Sequence, residues 1–154
     1  MVMATSTRFT AAVHILTTIA VHEGTPVPSE RIAHSVNTHP SLVRRLLGML
    51  ADAGLTTSQL GTGGGALLAR PADQISLLEV FQAVEQETLI AVHNCTNKSC
   101  MVAENILPTL HRVILRAQSA MFDELASVTI EDIRHDVKLG SEGICPALPH
   151  TQLV

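Results

Sequence analysis

The chain has 154 residues, with 10 Lys and Arg against 14 Asp and Glu and a net charge of -4, a balance that excludes a histone-like or polybasic membrane-binding protein. Its 46% apolar content includes three Phe but no Trp or Tyr, which favours packed helices over a β-sandwich and leaves no aromatic platforms for stacking single-stranded bases. The charge is uneven, +2 over residues 1–70 and -6 over residues 71–154, so the first half is the one suited to a polyanion.

No run approaches the roughly 18 apolar residues of a membrane span. The stretch AAVHILTTIAV lacks a small-x-small cleavage site, and Phe9, Val13, Leu16 and Ala20 recur at helical spacing. That predicts a first core helix from Thr10 to His22 in a cytoplasmic protein, closed by Gly24. A short helix SERIAHSV follows, with Ser29 as its expected N-cap. After the turn NTHP, Pro40 suits the first position of a third helix, PSLVRRLLGMLADAG. Its Val43, Leu46, Leu47 and Leu50 form the buried stripe, which leaves Ser41, Arg44, Arg45 and Gly48 outward.

Two short helices joined by a tight turn make a helix-turn-helix pattern. LTTSQL and ALLAR, joined by GTGGG and stopped by Pro71, read as a two-stranded wing. The fold class is therefore mainly α, a winged helix-turn-helix with a two-stranded β wing. Ser76 and Glu79 form a capping box for SLLEVFQAVE. Residues 87–102 are a loop bearing Cys95 and Cys100. A long helix from Ala103 to Ser127 carries Leu107, Leu110, Ile114, Ala117, Met121 and Leu125 at packing-seam spacing. Thr129 caps a last turn to about residue 133, and residues 134–154, rich in Gly and Pro, read as a mobile tail. The resulting division is 1–86 winged helix-turn-helix, 87–102 sensor loop, 103–133 long helix and last turn, and 134–154 tail.

Three chemistries need weighing. Arg reads guanine edges in the major groove, and a Ser hydroxyl or a helix N-terminus suits a phosphate, so Ser29, Ser41, Arg44 and Arg45 point to double-stranded DNA. The bland alternative for the Arg pair is a solvated helix face. The Gly61–Gly65 run lacks the Lys-Ser/Thr of a P-loop and precedes a strand; a wing tip is the better reading. Cys95, Cys100 and Cys145 are too few for a disulfide scaffold and suit a reducing compartment. Their thiols stand as a redox switch, as inert groups, or, with His93 or His111, as a metal site, although C-x4-C is a weak metal signal. No catalytic motif is present, so neither an enzyme nor a thiol oxidoreductase is expected.

SERIAHSVNTHPSLVRRLLGMLADAGL, GTGGGALLARPADQISLLEVFQAVE, the cysteine loop and NILPTLHRVILRAQ together resemble the small winged-helix bacterial repressors that include IscR, NsrR and CymR, nearest their YwnA-like branch. The resemblance covers about residues 8–130. It implies a homodimer paired through the long helix, each copy reading half of a pseudo-palindromic operator. It places Ser41, Val43, Arg44 and Arg45, and the wing from Gln59 through Thr62, Gly63, Gly64 and Gly65, against DNA. Cluster-binding members carry three closely spaced loop cysteines where this chain has two, and an acidic ligand near the N-terminus where it has Arg8. The nearer analogy is the cluster-free members that sense oxidants through cysteines. No cofactor is expected on that analogy, with an iron–sulfur cluster as the alternative.

Overall fold

Helix α1 (Arg8–Val21) buries Ala12, Ile15, Leu16, Ile19 and Ala20 as one stripe and forms the floor of the core. The computed structural model describes residues 6–85, 90 and 99–141. Beyond α1 the chain turns through Glu23 and Gly24, both at positive φ (40° and 79°), where glycine is the unstrained choice. Helix α2 (Ser29–Val36) and helix α3 (Pro40–Asp52) follow, linked by Asn37 in the left-handed region at φ 55°. Asn tolerates that conformation better than most side chains. Pro40 occupies the first turn of α3 as expected.

Strands β1 (Thr56–Gln59) and β2 (Gly65–Leu68) pair antiparallel, with Thr56 opposite Leu68 and Gln59 opposite Gly65. The hairpin is pinned to the turn before α2. Val27 and Ala66 exchange backbone hydrogen bonds of 3.0 and 2.9 Å. Helix α4 (Leu77–Val84) starts with the expected capping box: Ser76 and Glu79 satisfy each other's backbone amides. Helix α5 (Met101–Ser127) then runs for 27 residues with Pro108 inside it.

Helix α6 (Ile130–Ser141) corrects the expectation of an aperiodic tail from Arg134. The Thr129 cap is present, since Thr129 Oγ1 accepts from the Asp132 amide at 3.2 Å and the Asp132 carboxylate accepts from the Thr129 amide at 2.8 Å. The helix continues because Ile130 is fully buried in the core, Ile133 is half-buried, and Arg134 donates to both Glu23 and Glu131. Tertiary contacts thus hold a segment whose composition favours loop. The rest of the predicted tail, with Cys145, lies outside the described residues.

One cluster unites Ile15 and Leu16, Ile32, Val43, Leu46 and Leu50, Leu55, Ile75, Val80 and Ile130. The core therefore sits beneath the helix-turn-helix and takes in the start of α6. Phe81 links Phe9 and Phe122, at ring separations of 5.6 and 5.9 Å, and so joins α5 to the head. No helix among the described residues is long and apolar enough to cross a membrane.

Candidate nucleic-acid interface

Helix α3 is amphipathic. Val43, Leu46 and Leu50 are buried and Leu47 half-buried, while Ser41, Arg44, Arg45 and Gly48 share the exposed side. Val43 is buried as the helical periodicity predicts, and this corrects the DNA contact that the resemblance implies: with no exposed surface it packs in the core. Its i, i+3 and i+7 relation to Leu46 and Leu50 is the reason.

The exposed side chains differ in what they already hold. Arg44 Nη2 donates to Glu30 Oε1 at 2.9 Å and its Nε to Ser29 Oγ at 3.3 Å. Ser29 is therefore not the expected N-cap. Pro28 takes that position without a side-chain bond, and the Ser29 hydroxyl faces α3. The backbone hydrogen bond of Glu30 and the Arg44 guanidinium hold the Glu30 carboxyl below the ordinary glutamate value. The Arg45 side chain is exposed and makes no hydrogen bond or ion pair with another described residue. At the N-terminus of α3, His39 Nδ1 accepts from the Ser41 amide at 3.2 Å and lies 2.8 Å from its hydroxyl. Sequence reasoning named neither Glu30 nor His39. The His-Pro pair before the helix was the available signal for the cap.

The wing stands beside this face. A cleft of about 320 Å³ separates Arg44, Gly48 and Ala51 of α3 from Ser58, Gln59 and Gly65 of the hairpin. Gln59, Thr62 and Gly63 are exposed, whereas Gly64 and Gly65 are half-buried. A Cβ on Gly64 would sit 2.2 Å from the Gln59 carbonyl oxygen, and one on Gly65 2.4 Å from the Val27 carbonyl carbon. These two glycines are thus required inside the hairpin and at its junction with the head. Leu60, inside the expected Gln59–Gly65 stretch but not singled out in it, is 91% exposed at the tip. Ser58 and Gln59 line the cleft on the wing side, and Leu60 follows them directly in the chain.

The predicted sensor loop falls largely outside the described residues, Cys95 and His93 with it. Cys100 is half-buried at the N-cap of α5, and His111 is exposed on that helix. Of the predicted seam, Leu107, Ile114, Met121 and Leu125 are half-buried, and Leu110 and Ala117 are exposed. Val102, Ile106 and Val113 extend the exposed apolar side at 62%, 38% and 48%. No residue of α5 is fully buried.

A family model described as Rrf2, iron-dependent transcriptional regulator, matches residues 5–136. YwnA of Bacillus subtilis, named as an HTH-type transcriptional regulator, is 44% identical over 129 residues, 83% of this chain and 95% of YwnA. A solved protein assigned as DNA-binding is 38% identical with a TM-score of 0.66, covering 82% of this chain and 97% of its own. The solved CymR of B. subtilis, the global cysteine regulator, shares the fold at 23% identity and a TM-score of 0.68, over 87% of this chain and 98% of CymR.

The family description raises iron. Among the described residues no three His, Cys, Asp or Glu side chains converge, and Arg8, near the N-terminus where some members place an acidic ligand, is engaged with Glu85 at 2.9 Å. The described residues by themselves do not fit an iron site. The matched model and the extent of identity to YwnA have one consequence: this chain belongs to the Rrf2 family of winged-helix transcriptional regulators, which are DNA-binding proteins and not enzymes.

Proposed function

We propose that the chain is a homodimeric repressor whose operator affinity responds to oxidation of Cys95 and Cys100. The observation that carries the DNA reading is the cleft between Arg44 and Gly48 of α3 and Ser58 and Gln59 of the wing, with Ser41 and Arg45 exposed on the same side of the helix. A helix of this kind enters the major groove with its N-terminal side chains on base edges. Two copies reach half-sites roughly 34–36 Å apart.

Pairing through α5 is supported by its apolar side, exposed from Val102 to Ala117 and backed by no buried residue. So long an unfilled stripe on a small chain suits a second copy. The thiol reading is supported by the position of Cys100 at the N-cap of α5. The two thiols give up two protons and two electrons to hydrogen peroxide, forming one disulfide and two water molecules. A disulfide there constrains the start of the helix that joins the copies.

A gel shift against the chain's own upstream region tests both parts. Wild type is expected to bind, Arg44→Ala/Arg45→Ala to lose most of that binding, and peroxide to alter affinity in wild type but not in Cys95→Ser/Cys100→Ser. An unchanged response in the double cysteine variant leaves the thiols inert. The family description supports a second reading, iron bound with Cys95 and Cys100 among its ligands. Anaerobic purification with visible absorbance and metal analysis separates the two, since a colourless, metal-free protein removes iron.

A further inference from the structure

Leu60 is the most exposed large apolar side chain among the described residues, at 91%. Most of the other exposed large apolar residues among those described lie on α5, whereas Leu60 stands on the wing, next in the chain to Gln59 of the cleft that borders the Arg44 face. Nor is it carried on a loose loop. Gly64 donates to the Gly61 carbonyl at 3.0 Å, Gln59 pairs with Gly65, and Val27 and Ala66 anchor the hairpin to the head. The whole segment from Ala53 to Ala69 contains no charged residue, and Arg70 beyond it is bound to Glu79 at 2.6 Å. This wing therefore brings no ion pair to a phosphate. What it offers is a fixed aliphatic tip.

Resting on the DNA reading above, we propose that Leu60 is a specificity residue that seats in the operator's minor groove beside the major groove occupied by α3. Apolar wedges are one of the ways proteins engage that groove. The floor of the minor groove at A·T pairs presents only acceptors, whereas G·C adds the guanine N2 amino donor. A leucine has no acceptor for that amino group, so it would be buried unpaired. The wing thus selects A·T pairs at its footprint, and does so without counterion release.

The test uses the full chain and a duplex enriched by wild type from a randomised 40-base-pair pool. Leu60→Ser is expected to weaken binding to this duplex about tenfold, the scale of one lost base-pair preference. The slope of log affinity against log salt should stay unchanged, whereas Arg45→Ala should lower its magnitude by about 1. Replacing A·T with G·C under the wing should weaken wild type, and replacing it with inosine·cytosine, which lacks the amino group, should not. The Leu60→Ser variant should no longer distinguish the two. Leu60 is too exposed for its loss to disturb folding, and a matching thermal melt and sedimentation coefficient check this.

Equal affinity of wild type and Leu60→Ser for the enriched duplex overturns the proposal while leaving the DNA reading intact. Equal loss on an unrelated duplex, or a change in oligomeric state, also overturns it. A pool that yields no enriched duplex removes the DNA reading and this inference with it.

Discussion

Arg44 donates to Glu30 at 2.9 Å, so in the proposed complex a phosphate or base edge competes with a carboxylate already in place. Both side chains are exposed, 60% and 65%, and a pair of that kind holds little energy by itself. The larger effect of Glu30 is its negative charge beside the reading face. Glu30→Gln is expected to tighten DNA binding by roughly two- to five-fold at moderate salt, the span of a surface ion pair. Fluorescence anisotropy on a labelled duplex measures it. Weaker binding would mean instead that Glu30 holds Arg44 in its reading pose. Arg45 has no such competitor. The Arg pair was legible in the sequence because helical periodicity assigns faces. Glu30 and His39 were not, because the first depends on how α2 crosses α3 and the second on an unusual capping side chain.

At the scale of elements, α3 contains Gly48, a glycine in mid-helix. No atom lies within 4 Å of where its Cβ would stand, and no other feature of the fold requires it. Gly48→Ala is expected to raise stability by roughly 0.5–1 kcal/mol through helix propensity. The added methyl would project into the cleft beside the wing, so DNA affinity is expected to fall. Chemical denaturation and anisotropy on one preparation read both. A gain in stability with unchanged affinity would remove Gly48 from the interface. Gly65→Ala is expected to behave oppositely, losing about 1–3 kcal/mol to overpacking against Val27.

Helix α4 supplies a pH-dependent contribution. Burial raises the Glu79 carboxyl, but the Arg70 guanidinium and the Ser76 amide and hydroxyl outweigh it and leave it below the ordinary value of 4.5. A depressed folded-state value stabilises the fold above about 4.5, and that contribution is lost as pH falls through the folded-state value. Glu79→Gln is expected to flatten this acid limb in melts taken between pH 3 and pH 6, roughly the range around an unperturbed carboxylate. An unchanged limb would assign it to other carboxylates.

The first five helices and the wing were legible because stripes, caps and glycines all pointed the same way. Helix α6 beyond its first, Thr129-capped turn was not, since Gly140 and the Gly- and Pro-rich stretch beyond it masked the short Ile130, Ile133, Val137 stripe. Its stability comes from α1 and Glu23, contacts between residues more than 100 positions apart.

For the molecule as a whole, the two charge regions divide the work. Residues 1–70 carry only +2 and residues 71–154 carry -6, so bulk attraction to DNA is weak and a single head has little to hold it. Coupling two heads makes the second binding event intramolecular, which raises avidity by about 100-fold or more when the geometry matches. In the proposed dimer α5 provides that coupling, and Phe81, packed against Phe122 at 5.9 Å, fixes the helix to the head. The orientation of the heads then follows the orientation of the paired helices. Leu110→Glu/Val113→Glu changes two residues that are 39% and 48% exposed in the single chain, so it leaves the head's core untouched while placing charge in the apolar stripe. Sedimentation is expected to show a monomer, with operator affinity down by about 100-fold and binding to an unrelated duplex little changed. A variant that sediments as a dimer would show that the copies meet elsewhere. A monomer that keeps wild-type operator affinity would show that one head suffices, and the weak charge of the head would then have to be offset by base contacts alone.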